Sequence, residues 1–344
     1  MASPRPIPII LALDTSCYTT SVAAMDGDSN VVLDRRHVLA VAAGACGLRQ
    51  SEAVFQHLKN LPPLLEEALG ALRSGGFSVS AVAVASRPRP VPGSYLPVFL
   101  AGAGFARAVA AAVAVPLVET SHQEGHLAAA LPLVTGPAFL ALHISGGTTD
   151  LLIVRRYCDS TAGNAPAAIP AEPAAAGHSE AAGLTLTVER LGGSTDLHAG
   201  QLVDRVGVAL GIPFPAGAGL DGLASRGDAG ACAIPSAVRG YDVSFSGPHA
   251  AALRFLAAGA RPPDVAAATL QCVATSCEKL IRGAVDETGL EEVALVGGVA
   301  ASAFLRARLR SRLPFPGLIF LPPALCTDNA VGVARAAWLS RHGR

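Results

Sequence analysis

The chain alternates short apolar runs with polar turns, in an order that predicts an α/β protein. Residues 9–13 form an unbroken apolar run, which predicts a strand covered on both faces. Asp14-Thr15-Ser16 follows at its end. Residues 20–25 and 31–33 predict two more strands, joined by the hairpin turn Asp26-Gly27-Asp28. The spacing predicts a helix over 52–72 interrupted at Leu61-Pro62-Pro63, then a strand over 81–85. A stiff loop over 86–95 carries Pro88, Pro90 and Pro92 beside Arg87 and Arg89. It reads either as a rigid surface loop or as the wall of a site with guanidiniums for phosphate. A small-residue helix over 101–113 and a strand over 117–119 come next. Ser121 is then the N-cap of a helix running into the apolar residues 127–131.

The same grammar restarts at residue 139. A strand over 139–144, the Gly-rich turn Ser145-Gly146-Gly147-Thr148 and a return strand over 151–154 echo the first strand, its Asp14-Thr15-Ser16 loop and its hairpin. Glycines let backbone amides face an anion directly. Two halves that each open as strand, polar loop and strand predict an internal duplication around a nucleotide cleft. Actin-like and sugar-kinase-like ATP-binding folds begin in this way, with the hydroxyl-rich loop approaching phosphates. Residues 159–183 are rich in Ala, Pro and Gly and predict an insertion without chemistry of its own. Beyond it the pattern gives a strand over 184–191, a turn over 192–196, and helices over 200–211 and 263–288. A strand over 292–296 turns tightly at Gly297-Gly298 into a helix over 303–313, and Asp328-Asn329 caps the last helix, 330–339.

Composition narrows the chemistry. Among 344 residues the formal charge is zero, so nothing global draws the chain to nucleic acid or membrane. Any RNA contact comes from a local patch, for which Arg306, Arg308, Arg310 and Arg312 are the candidate; a solvated helix end is the plainer reading. Arg outnumbers Lys by 24 to 2. The seven cysteines form no CxxC and no paired framework, and no stretch reads as a signal peptide or membrane span. A reduced, cytoplasmic setting is therefore expected.

The candidate chemistry centres on His122 and His126. Four residues apart on a helix, they face one point and form a clip for a first-row metal that awaits a carboxylate. Asp328, far downstream, offers one. Such a pair also arises by packing alone. It is not the metalloprotease helix, which needs Glu directly after the first His, where Gln123 stands.

The motifs, in order, are Asp14-Thr15-Ser16, His122/His126 around Glu124-Gly125, Ser145-Gly146-Gly147-Thr148-Thr149, Ala199-Gly200 with Asp204, Phe214-Pro215 with Gly217, Ser244-Phe245-Ser246-Gly247, Gly297-Gly298-Val299-Ala300, and Cys326-Thr327-Asp328-Asn329-Ala330. From Leu13 to Ala337 the chain resembles the TsaD-type family of threonylcarbamoyl transferases, formerly called glycoproteases or O-sialoglycoprotein endopeptidases. The resemblance implies a two-lobed actin-like ATPase (ASKHA, duplicated ribonuclease H-like) fold. Its first lobe would be 1–136, with the helix 328–344 packing back on it, and its second lobe 137–327. It implies one divalent metal, iron or zinc, on His122, His126 and Asp328, with His143 a candidate extra ligand where some members place a tyrosine. It implies that threonylcarbamoyl-AMP lies between the lobes, with its phosphate on Ser145, Gly146, Gly147 and Thr148. Its adenosine would lie on Asp204, Gly217, Gly297, Gly298 and Ser302, and Asp14 would steer a proton or a water. The acceptor implied is the exocyclic amine of a tRNA adenine next to the anticodon. The partners implied are tRNA, a related actin-like paralogue and small ATPase subunits. Departures from the family pattern mark a divergent subgroup. Tyr18 and Thr19 replace two acidic residues, Val91 opens the Gly-Pro-Gly loop, and Leu197, Gln201, His249 and Ser302 replace Asp, Glu, Lys and Asn. Two other readings stand beside transfer to tRNA: a non-catalytic nucleotide-binding scaffold, and carbamoyl transfer to another acceptor.

Overall fold

A computed structural model describes residues 5–158 and 184–342; the insertion expected over 159–183 lies outside them. The first half holds β1 (Ile7–Asp14), β2 (Thr19–Asp26), β3 (Val31–Val38), β4 (Phe77–Arg87) and β5 (Leu117–Ser121), in the order β3-β2-β1-β4-β5. The second half holds β6 (Ala138–Ile144), β7 (Thr149–Cys158), β8 (Leu184–Ser194), β9 (Ala237–Arg239), β10 (Asp242–Ser244), β11 (Val293–Val296) and β12 (Leu318–Phe320). Their order is β12-β11-β6-β7-β8-β10-β9. In each sheet three consecutive antiparallel strands form a meander, and two later strands add in parallel beside the first of them. The order β8-β7-β6-β11-β12 repeats β3-β2-β1-β4-β5, so the duplication expected from the two opening motifs is present in the wiring.

The unbroken apolar run in β1 follows from its two covered faces. Leu11 and Leu13 pack with Leu61 and Leu65 of α1 (Gln50–Ser74) and Ala106 of α2 (Phe99–Ala112). Ile10 and Ala12 face the other way, into Val331, Val333, Ala334 and Ala337 of the last helix (Ala330–His342). The break expected at Pro62-Pro63 does not occur, and α1 is continuous. Both prolines lie on its exposed side, as do Leu58 and Lys59, whose carbonyls lose their amide partners there. The expected turn over 192–196 begins later, because β8 runs on to Ser194.

Between the sheets lies α3 (His122–Ala130), buried along nearly its whole length. Leu127 to Leu131 join the core of the second half, with Phe139, Leu140 and Val296. The remaining helices are α4 (Ala199–Ala209), α5 (Gly217–Ala224), α6 (Ser246–Ala257), α7 (Pro262–Thr288), α8 (Ala303–Arg312) and α9 (Pro323–Cys326), followed by the last helix, α10. α10 crosses α3 at two glycines: a side chain at Gly332 would run into the Gly125 carbonyl, and one at Gly125 would come within 3.2 Å of Val333 Cγ2. Asn329 caps α10 by accepting from Gly332 N at 3.1 Å; Asp328, expected to share that role, points elsewhere. Because the obstacle at Gly332 is backbone, Gly332→Ala forces the helices apart. It is predicted to lower the unfolding free energy by about 1–3 kcal/mol, read as a lower denaturant midpoint at unchanged slope.

Candidate functional site

α3 begins with a reciprocal cap. Ser121 Oγ accepts from Glu124 N at 3.1 Å, and the Glu124 carboxylate accepts from Ser121 N at 2.7 Å. The first turn is therefore fixed, and His122 and His126 stand one above the other with their Nε2 atoms 3.1 Å apart. Asp328 Oδ1, at the mouth of α10, lies 3.5 Å from His122 Nε2 and 3.8 Å from His126 Nε2. These three separations define a point about 2.0 Å from all three atoms, the bond length of zinc to imidazole nitrogen or carboxylate oxygen. The donor set fits one divalent ion of the zinc or iron type.

Asp14 stands behind this group. Its Oδ2 is 2.9 Å from His122 Nδ1, and its Oδ1 accepts from Ser16 N at 2.7 Å. A carboxylate that takes the Nδ1 proton leaves the Nε2 lone pair aimed at the cluster, which is how metal-binding histidines are oriented. Asp14 thus touches His122 instead of standing free to steer a water. Burial pulls the His122 pKa down, but the Asp14 and Asp328 carboxylates override it and raise it to about 10. Burial would raise Asp328, yet hydrogen bonds from the two imidazoles hold it well below the carboxylate range. His126 is lowered by burial and by charged His122.

His143 does not join the three. Its ring lies 4.9 Å from that of His126, and its Nδ1 accepts from Gln123 Nε2 at 3.5 Å. Burial, followed by the neighbouring His126, drives its pKa well down, so it is neutral.

Of the loops expected to hold a nucleotide, the one at Gly297 reaches His143 beside this cluster. The turn after β6 closes through Ser145 N donating to Thr148 O at 2.7 Å, and Gly147 N donates to Ser145 Oγ at 3.3 Å. Among the described residues a side chain at Gly146 would meet nothing within 4 Å, so that face is open, and one at Gly147 would come within 3.8 Å of Cys17 Sγ on the first loop. Gly297 has φ +91°, and a Cβ there would lie 2.5 Å from the Ile144 carbonyl oxygen; only glycine lets β11 end against β6 in this way. Asp204 on α4 accepts from Ala216 N at 2.8 Å beside Gly217, with its pKa raised by burial. Ser302 caps α8, accepting from Leu305 N at 3.1 Å, and gives its own proton to Asp221.

Other expectations change. Thr15 Oγ1 donates to Val98 O at 2.9 Å and accepts from Gly102 N at 3.1 Å, so the first loop turns this hydroxyl into the fold and not toward a phosphate. Arg89 binds Asp150 at 3.0 Å, and Arg87 lies 3.9 Å from Glu124, so both guanidiniums face carboxylates. On α8, Arg306 donates to Ala300 O and Leu321 O, and Arg312 pairs with Glu278 at 3.2 Å. That leaves little of the proposed RNA patch. Two groups were missed. Asp221 accepts from Ala303 N at 2.9 Å and Phe304 N at 3.1 Å, and its place four residues after Gly217 on α5 was the available signal. Buried Asp150 gathers Arg89, Arg190 and Gln123, a convergence with no signal along the chain.

The strand order repeated in the two sheets, each a meander extended by two parallel strands, is that of an actin-like ATPase fold. T. kodakarensis HypF has the same fold, with TM-score 0.57 at 14% identity over 98% of this chain and 48% of that one. So does the component A of (R)-2-hydroxyglutaryl-CoA dehydratase from Acidaminococcus fermentans, with TM-score 0.50 at 13% identity over 97% and 98%. Within that fold, the model of TsaD, tRNA N6-adenosine threonylcarbamoyltransferase, matches residues 42–169 and 173–335, and the chain belongs to this family of acyl transferases. Relatives named tRNA N6-adenosine threonylcarbamoyltransferase include one from Cyanothece sp., 31% identical over 95% of this chain and 90% of its own. Another, from Aromatoleum aromaticum, is 32% identical over 96% and 90%.

The raised His122 pKa has a consequence for the ion-free protein. Its protonation stabilises the fold fully below the unfolded value of 6.5, and that stability is lost as pH rises through about 10. Unfolding by denaturant in the presence of chelator is predicted to show this loss between pH 7 and 10, and a markedly smaller loss in Asp14→Asn.

Proposed function

We propose that this chain transfers a threonylcarbamoyl group from threonylcarbamoyl-AMP to the exocyclic amine of a tRNA adenine next to the anticodon. The observation that carries the reading is the convergence of His122, His126 and Asp328 on one point, with Asp14 behind it, in a chain of the TsaD family. A divalent ion on these residues, iron or zinc, would polarise the carbamoyl oxygen. Asp14 holds His122 in the tautomer that keeps Nε2 available. The turn of Ser145, Gly146, Gly147 and Thr148, open at Gly146, takes the phosphate. Asp204 and Gly217 on one side, and Gly297, Gly298 and Ser302 with Asp221 on the other, frame the adenosine. The adenine nitrogen attacks the carbamoyl carbon, the new C–N bond forms, the bond to the phosphate oxygen breaks, and AMP leaves with the displaced electron pair. The amine proton passes to solvent. An adenine in a loop reaches such a cleft without melting a duplex. Action in the cytoplasm, beside a related actin-like subunit and a small ATPase, belongs to the same reading. No helix among the described residues is long and apolar enough to cross a membrane.

A second reading is carbamoyl transfer to another acceptor, and Tyr18 favours it. Where the family carries an acid, this ring reaches across to Phe214, with centroids 4.6 Å apart, and narrows the space between the loops of the two halves. A scaffold without catalysis is the weaker alternative, because His122, His126 and Asp328 are all present and converge.

His126→Ala is predicted to remove the ion and to cut tRNA modification by at least about a hundredfold, measured by metal analysis and by nucleoside analysis of tRNA with purified partner subunits. Full activity without ion in this variant would refute the metal's role. Rescue of cells lacking their standard enzyme separates the acceptors: failure with adenylate binding intact selects the second reading.

A further inference from the structure

The Asp150 cluster has more positive charge than it needs. The Asp150 carboxylate, 2% exposed, receives Arg89 Nε and NH2 at 3.0 Å, Arg190 Nε at 2.8 Å and Gln123 Nε2 at 3.4 Å. One carboxylate needs one guanidinium for neutrality, and here it has two. Both arginines keep part of their surface in solvent, 37% for Arg89 and 49% for Arg190. Among the described residues, the two terminal nitrogens of Arg190 and one of Arg89 hydrogen-bond to nothing. Room for the Arg190 fork comes from Gly193, where a Cβ would stand 2.9 Å from its NH2. His198 lies beside the cluster: burial lowers its pKa, Asp150 raises it and Arg89 and Arg190 lower it, and among the described residues its buried Nδ1 has no partner.

The cluster borders the candidate metal centre. Asp150 is paired with His143 across β6 and β7, so the two side chains share one face of the sheet. Gln123, between the two metal-directed histidines on α3, touches both: Asp150 at 3.4 Å and His143 Nδ1 at 3.5 Å. Asp150 also follows Thr148, the end of the open glycine turn, by two residues.

We propose that Arg89 and Arg190 form a clamp for the carboxylate of the amino acid carried by the carbamoyl donor. The inference rests on the acyl-transfer reading above and deepens it by naming the residues that hold the amino-acid carboxylate of that donor. Guanidinium forks match carboxylates in two parallel hydrogen bonds. In such a donor the carboxylate carbon is three covalent bonds, about 3–4 Å, from the carbamoyl carbon, so a clamp beside the ion can hold one end while the other reacts. The buried Asp150 holds both guanidiniums in place before the donor arrives, and the surplus charge is left for the ligand.

The test uses the full chain and two probes, N-carbamoyl-L-threonine and its primary amide, titrated calorimetrically with and without AMP. Wild type is expected to bind the carboxylate at least tenfold more tightly than the amide. Arg190→Gln leaves Asp150 paired one-to-one with Arg89 and is expected to lose that preference, with AMP affinity within twofold of wild type. Arg190→Lys keeps the charge without the fork. It is expected to lose most of the preference too, and it replaces the glutamine variant if that one fails to fold. Equal binding of the two probes by wild type, or retention of the preference by the substituted protein, overturns the clamp and leaves the arginines as neutralisers of Asp150. Failure of AMP to bind at all refutes the adenylate reading instead, and the titration without nucleotide keeps the two outcomes apart.

Discussion

The close crossing of α3 and α10 is the contact on which the rest depends. Gly125 and Gly332 meet there with no side chain between them, one helix resting on the other's backbone. Gly125 sits between His122 and His126 in sequence, and Gly332 is one turn beyond Asp328. The crossing therefore decides how far the carboxylate at the mouth of α10 stands from the imidazoles on α3. An added methyl group at that point would act on the site at least as much as on the core. Interiors pack as solids and pass on displacements of this size.

The charges brought together by this crossing are poorly solvated and must balance locally. Two carboxylates, the buried Asp14 and the half-buried Asp328, flank His122, which responds by holding a proton far above its ordinary range. A divalent cation is the natural replacement for that proton, since it satisfies Asp328 and both Nε2 atoms at bonding distance. Pairing Asp14 with Nδ1 serves either state, because the hydrogen bond lies on the far side of the ring from the cluster. The same principle acts next door, where Asp150 is buried only because guanidiniums meet it from two segments of the chain.

The two halves share their strand order but have specialised differently. After β1, the loop turns Thr15 inward to hold the start of α2 and commits Asp14 to His122. After β6, the equivalent loop stays open at Gly146 and closes on itself through Ser145 and Thr148. One copy has become a support for the candidate metal centre, and the other keeps a glycine turn whose outer side is open. Tyr18 and Phe214 span the gap between them.

Much of this was written in local sequence. The double-faced run in β1, the Ser121 cap, the His122–His126 spacing and the repeated strand–loop–strand opening each depend on a few consecutive residues. Hydrophobic period and capping chemistry report such features directly. The order of motifs likewise placed Asp328 with the histidines. What the chain alone could not give were the partners of side chains distant in sequence. Pro62 and Pro63 were compatible with a break until tertiary packing set them on the solvent face of a helix anchored by Leu61 and Leu65. Arg87 and Arg89 read equally well as phosphate ligands, and Arg306 and Arg312 as an RNA patch. Whether a guanidinium meets a phosphate, a carbonyl or a buried carboxylate depends on which segment the fold sets against it. Periodicity carries no such information, so the hub at Asp150 and the role of Asp14 behind His122 were decided only when the two sheets closed around α3.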